Sequence, residues 1–69
     1  MFMSIMDRDI NNEILKLLRN HPEGLTITDM SNLLRVNYMT VSKYLTVLEA
    51  LKKIEYKKIG MAKLFKVKK

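Results

Sequence analysis

The chain has 69 residues, 48% of them hydrophobic and 29% charged, with no cysteine and a formal net charge of +6. Such a length encloses one small core, and the apolar periodicity along the chain argues against a disordered tail. The lack of cysteine excludes disulfide staples and thiolate metal sites, so stability has to come from helix packing, a small sheet or a partner chain, and a reducing compartment is compatible.

The opening MFMSIM is apolar but has no positive segment before it. Its run is broken at Ser4 and closed at Asp7, well short of a signal or membrane-spanning stretch, so the expectation is a soluble, cytoplasmic protein with no membrane partner. A first helix is predicted over residues 6–20, starting at Ser4 or Asp7, with an apolar stripe of Met6, Ile10, Ile14, Leu17 and Leu18. Asp7 and Asp9 suit the positive end of its dipole. His21-Pro22-Glu23-Gly24 then turns the chain, because Pro22 disfavours helical angles at His21 and Gly24 can adopt a left-handed conformation. Leu25-Thr26-Ile27 reads as a short extended piece able to add a strand.

A second helix is predicted over residues 29–34, with Thr28 as its N-cap, Asp29 complementing the dipole, and Met30, Leu33 and Leu34 offered to a core. Arg35-Val36 makes a tight turn without the usual glycine, Val36 being the apolar plug that fixes the interhelical angle. Asn37 caps a third helix over residues 38–52, whose apolar residues Val41, Leu45, Leu48 and Leu51 recur in steps of four, three and three. Opposite that stripe lie Met39, Lys43, Thr46 and Ala50, flanked by Thr40 and Ser42. Tyr44 borders the stripe and is expected to pack under the helix.

From residue 54 the period changes to two, with Ile54, Tyr56, Phe65 and Val67 set among lysines. Residues 54–68 are therefore predicted to form an antiparallel hairpin that reverses at Ile59-Gly60-Met61. Phe65 and Val67 should face the helices, Leu64, Lys66 and Lys68 the other side, and Lys57, Lys58 and Lys63 should crowd the tip. The charge is uneven: residues 1–35 hold four basic and five acidic residues, a balance of −1, whereas residues 36–69 hold nine basic and two acidic, a balance of +7. A polyanion is the partner that such a distribution suits.

The segments DRDINNEILKLLRNHPEGLT, ITDMSNLLRVNYMTVSKYLTVLEAL and KKIGMAKLFKV together resemble the winged helix-turn-helix domains of bacterial and archaeal transcription regulators, in the MarR-like and ArsR-like group. The middle segment is the most specific, with Asn37 as polar cap, then Thr40-Val41-Ser42, Lys43, and the spaced leucines Leu45 and Leu48. The resemblance covers nearly the whole chain. It implies one α+β domain, mainly α, with three helices and a two- or three-stranded antiparallel sheet forming a wing.

It also implies a recognition helix in the major groove of double-stranded DNA and a wing on the adjacent backbone or minor groove, generally in a dimer. The residue chemistry fits those roles. Lys43 can donate to guanine or phosphate, Thr40, Ser42 and Thr46 can hydrogen-bond bases or phosphates, Met39 can press on a thymine methyl, and Tyr38 can reach a phosphate. Lys57, Lys58 and Lys63 add sequence-independent attraction that weakens with salt. The apolar N-terminal residues Phe2, Met3, Ile5 and Met6 are the candidate homodimer contact. No effector-binding segment follows the predicted wing, so the expectation is a minimal regulator or a fragment.

Catalytic, cofactor and metal roles are not expected. His21 is the single histidine, no glycine-rich phosphate loop occurs, and Asp7 and Asp9 stand two apart, which does not place them face to face on a helix. Two alternatives remain open at this point. One is a winged-helix protein-protein interaction module of a larger assembly, to which Val47 and Leu64 would give a small apolar contact area. The other is a nonspecific architectural DNA-binding protein.

Overall fold

The computed structural model describes residues 8–68, and its elements follow the order helix, helix, helix, hairpin. The first helix, α1 (Ile10–Arg19), begins where the Asp9 side chain accepts the Asn12 N–H at 3.1 Å, satisfying one of the amides that a helix start leaves unpaired. Ile10, Ile14 and Leu18, at steps of four, point into the core. Asp9 thus performs the capping expected of Ser4 or Asp7, which with Met6 lie outside the described residues. The turn closes with Gly24 N–H donating to His21 O at 2.8 Å, Pro22 standing second and glycine fourth.

Gly24 is needed there twice over. Its φ is +96°, and a Cβ on it would stand 2.7 Å from Leu64 Cγ and 3.0 Å from Phe65 O. The close approach lets Leu25 pair with Phe65, Leu25 N–H to Phe65 O at 3.0 Å and Phe65 N–H to Leu25 O at 2.8 Å. The expected extra strand is therefore a single-residue bridge.

Helix α2 (Ile27–Leu34) starts two residues earlier than the sequence suggests, because Thr26 and not Thr28 is its N-cap. Asp29 N–H donates to Thr26 Oγ1 at 3.1 Å and Thr26 N–H to Asp29 Oδ2 at 3.2 Å, a reciprocal capping box. Only Thr26 has an acidic residue at the required third position. Met30 is fully buried and Leu34 packs on the core, but Leu33 is 56% exposed, on the outer side of the helix.

Arg35 ends α2 with φ 55° and ψ 45°, the left-handed conformation that glycine usually provides. The Val36 N–H returns to Ser31 O at 3.1 Å, and Ser31 Oγ donates to Val36 O at 2.7 Å. This double tie seats Val36 in the core as the expected plug. Asn37 then caps α3 (Tyr38–Ala50), its Oδ1 accepting the Met39 N–H at 2.8 Å. Val41, Leu45 and Leu48 are buried and Tyr44 packs beside them.

The stripe stops short of Leu51, which is 59% exposed. A second left-handed residue, Lys52 (φ 59°), terminates the helix, with Lys52 N–H on Glu49 O at 2.9 Å and Lys53 N–H on Leu48 O at 3.0 Å. Those are the two bonds of a Schellman closure. Leu51 itself still donates to Val47 O at 3.0 Å, and at about 100° per residue it stands past the buried arc of Val41, Leu45 and Leu48, on the side of the exposed Val47.

Strands β1 (Ile54–Ile59) and β2 (Ala62–Val67) pair antiparallel, in register Ile54 with Val67, Tyr56 with Phe65 and Ile59 with Ala62. A two-residue Gly60-Met61 loop joins them, Gly60 having φ 60°. Beyond the ladder, Lys68 N–H donates to Lys53 O at 3.1 Å. Ile54 and Phe65 close the core under the three helices, giving an α+β helix-turn-helix with a β-hairpin wing. No side chain that is fully buried in this core is polar or charged, among the described residues. Nor is any described helix long and apolar enough to cross a membrane.

An ionic tie between Arg8 and Glu13 sits outside the core. The Arg8 guanidinium grips both Glu13 carboxylate oxygens, its Nε at 3.0 Å from Oε2, and reaches Leu34 O at 3.2 Å. It joins the start of α1 to the end of α2, where unpaired carbonyls favour a cation. The hydrogen bond from Arg8 holds the Glu13 carboxyl below its ordinary pKa, against the opposing effect of desolvation.

Two outcomes follow. Gly24→Ala should lower unfolding free energy by about 1–3 kcal/mol, measured by urea denaturation, because alanine has to adopt a strained φ and displace the wing. A lowered folded-state pKa means that the stability Glu13 contributes is present above its unfolded pKa of about 4.3 and is lost as pH falls through the folded value. Glu13→Gln should therefore show a shallower loss of melting temperature than the parent chain between about pH 5 and pH 2.

Candidate functional site

The turn between α2 and α3 leaves the side of α3 away from Val41, Leu45 and Leu48 without cover. Met39, Lys43 and Thr46 are exposed there, Thr40 and Ser42 are partly so, and Tyr38 is exposed at the helix start, two turns before Leu45. At about 100° per residue, Met39, Lys43, Thr46 and Ala50 form a ridge along the outside of the helix. Thr46 Oγ1 donates to Ser42 O at 3.0 Å, so this hydroxyl's proton is already used and its lone pairs are what it offers outward.

The wing stands across a groove from one flank of α3. At the upper end, Thr26, Ile27, Thr28, Tyr38, Ser42, Met61, Ala62 and Lys63 line a groove of about 440 Å³. Further along α3, Ser42, Thr46 and Glu49 face Lys63 and Phe65 over a smaller depression. The groove therefore gathers four of the residues singled out from sequence, namely Tyr38, Ser42, Thr46 and Lys63. Met39 and Lys43 lie on the outer ridge, and neither lines it.

The three wing lysines do not share one face, as crowding at the tip would suggest. Strand side chains alternate, so Lys58 and Lys63, directly opposite each other, lie on the face of Tyr56 and Phe65. Lys57 lies on the other face, opposite Leu64 and beside the register position of Lys66. Two like charges placed opposite each other oppose strand pairing. Lys63 finds partial relief, its Nζ standing 4.6 Å from the centroid of the Tyr56 ring, which is itself packed at 5.6 Å on Phe65. Lys63 therefore rests on the wing's own ring, and it also lines the groove facing α3.

Three features escape sequence reasoning. Thr26 and Thr28 enter the groove because α2 begins at Ile27, and the earlier start was available only from the Thr26–Asp29 spacing. Glu49 brings an acidic side chain to a groove whose other polar lining is hydroxyl groups and Lys63; a wheel of α3 places it near Ser42, but only the wing's position shows that it faces Lys63. The Val47 and Leu64 pairing is not built: Val47 is exposed on α3, whereas Leu64 lies over Gly24 on the turn after α1. The candidate homodimer residues Phe2, Met3, Ile5 and Met6 lie outside the described residues.

For a polyanion entering the groove, Glu49 is a local repulsion. If that polyanion is duplex DNA, Glu49→Gln should tighten its binding a few-fold at low salt, with the gain shrinking as salt is raised, measured by fluorescence anisotropy.

In comparisons with known proteins, no family model matches the chain, and no curated protein is significantly similar to it in sequence.

Proposed function

We propose that this chain binds double-stranded DNA sequence-specifically as a cytoplasmic transcription regulator, with α3 in the major groove and the lysine-bearing wing on the adjacent backbone or minor groove. One observation carries the reading: an uncovered helix face of small, polar and cationic residues lies beside a wing with lysines on both faces. A helix with its side chains is about 10–12 Å across and the major groove is about 12 Å wide, so α3 fits it with Lys43 and Met39 leading. The groove between α3 and the wing then accommodates one phosphodiester strand, with Tyr38, Thr28 and Lys63 along it.

The alternative of a protein-interaction module draws on a different flank. Val47 on α3 and Leu51 at its C-cap, four residues on, are 44% and 59% exposed, an apolar pair that lines no part of the groove. If that pair is the working surface, Val47→Ser with Leu51→Ser abolishes partner capture and leaves DNA binding unaltered.

Selection from a pool of random duplex DNA across a salt series tests the main reading. Four phosphate-neutralising lysines per protomer give a slope of log affinity on log salt of about −3.6, so affinity should fall roughly 150-fold from about 50 to 200 mM. Enrichment of a short motif identifies sequence-specific binding, and a two-fold motif identifies a dimer; retention without a motif identifies an architectural protein. Lys43→Glu should abolish binding with the melting temperature unchanged, since the residue is exposed. Undiminished affinity would remove α3 as the reading helix.

A further inference from the structure

The wing tip carries more apolar surface than its turn requires. Met61 is fully exposed and Ile59 beside it is 53% exposed. Gly60 alone meets the conformational demand of the two-residue loop, with φ 60° and open space around it. The second loop position is commonly polar, as in Gly-Asn, Gly-Asp or Gly-Ser, so nothing in the hairpin calls for methionine there. Around this tip the lysines are divided, Lys58 and Lys63 on one face and Lys57 on the other.

We propose that Met61 is an apolar wedge that enters the DNA minor groove and partly unstacks a base step, while the lysines on the two faces hold the flanking phosphates. The inference rests on the DNA-binding reading and adds a named contact to it. Dimensions decide what can enter. The minor groove is about 6 Å wide, too narrow for a two-stranded ribbon whose faces with their side chains span roughly 10 Å. A single unbranched side chain projecting from the end of that ribbon fits. Methionine is suited by its flexibility, and apolar side chains inserted between base steps are an established way of kinking DNA.

Placement agrees with this. Met61 and Lys63 line the same groove as Tyr38 and Ser42, so one backbone strand running along it separates α3 in the major groove from the tip at the neighbouring minor groove. Charge complementarity favours phosphate on both sides of the tip, and a phosphate on the face shared by Lys58 and Lys63 offsets the opposition of those two charges. The same pairing of an apolar tip with lysines also suits an anionic lipid surface, which the experiment has to distinguish.

The test uses an alternating A·T duplex with 2-aminopurine replacing adenine at central steps, at low salt, because T–A steps unstack most readily. The full chain should raise 2-aminopurine fluorescence on binding. Met61→Ala should bind with the same salt slope but lose that rise, and its melting temperature should be unchanged because Met61 is fully exposed. Binding by the parent chain without a rise, or an equal rise with Met61→Ala, overturns the wedge and leaves the DNA-binding reading standing. Failure of the parent chain to bind the duplex overturns both. Met61-dependent binding to phosphatidylserine vesicles in that case assigns the tip to a membrane surface.

Discussion

The joint between α2 and α3 is the constraint on which the rest of the molecule depends. Ser31 holds Val36 by its backbone carbonyl and by its hydroxyl, and Arg35 accepts a left-handed conformation so that both bonds can form. A left-handed non-glycine residue is disfavoured by roughly 1–2 kcal/mol, so this geometry persists only because the ties and the burial of Val36 exceed that penalty. Once Val36 is seated, the rotation of α3 is set. Val41, Leu45 and Leu48 must turn inward, and Met39, Lys43 and Thr46 are turned outward as a consequence. The outward face is therefore a product of packing on its opposite side.

The wing is positioned by a second constraint, the contact of β2 with the turn after α1. Phe65 pairs through its backbone with Leu25 on one side and Tyr56 on the other, and only a glycine at position 24 lets these chains meet. The hairpin is thus fixed to the body at its base and free at its tip. Its base carries Ile54 and Phe65 into the core, while the tip half carries Lys57, Lys58, Lys63 and Met61. The apolar residues that reach the core are gathered at the base, and at the tip Lys63 rests against the Tyr56 ring.

Much of this was legible in the sequence, and the misses share a cause. Helix existence follows from periodicity, and Asn37, Val36 and Gly24 serve as their residue types suggest. The left-handed residues Arg35 and Lys52 carry no such signal, because neither is glycine or asparagine, and the end of α3 before Leu51 was hidden with Lys52. Apolar identity alone promised Leu33 and Leu51 to the core, but burial depends on where each helix stops and how it is rotated. Thr26 and Thr28 are chemically equivalent caps, separable only by the partner three residues on, which is Asp29 for the former and Ser31 for the latter. The division of the wing lysines depended on strand register, where a shift of one residue exchanges the faces. Of the candidate site residues, the sequence identified side chains on α3 and the wing but not the groove between them, since that requires two distant segments to be placed together.

Whether α3 and the wing together hold duplex DNA is read most directly by an NMR titration of the labelled chain with a duplex. Chemical-shift changes should concentrate on Met39, Lys43 and Thr46 of α3 and on Lys57, Lys58 and Lys63 of the wing, with the α1 surface around Lys16 and Leu17 unchanged. Changes centred on α1, on Val47 and Leu51, or absent altogether at low salt would contradict DNA binding through α3 and the wing.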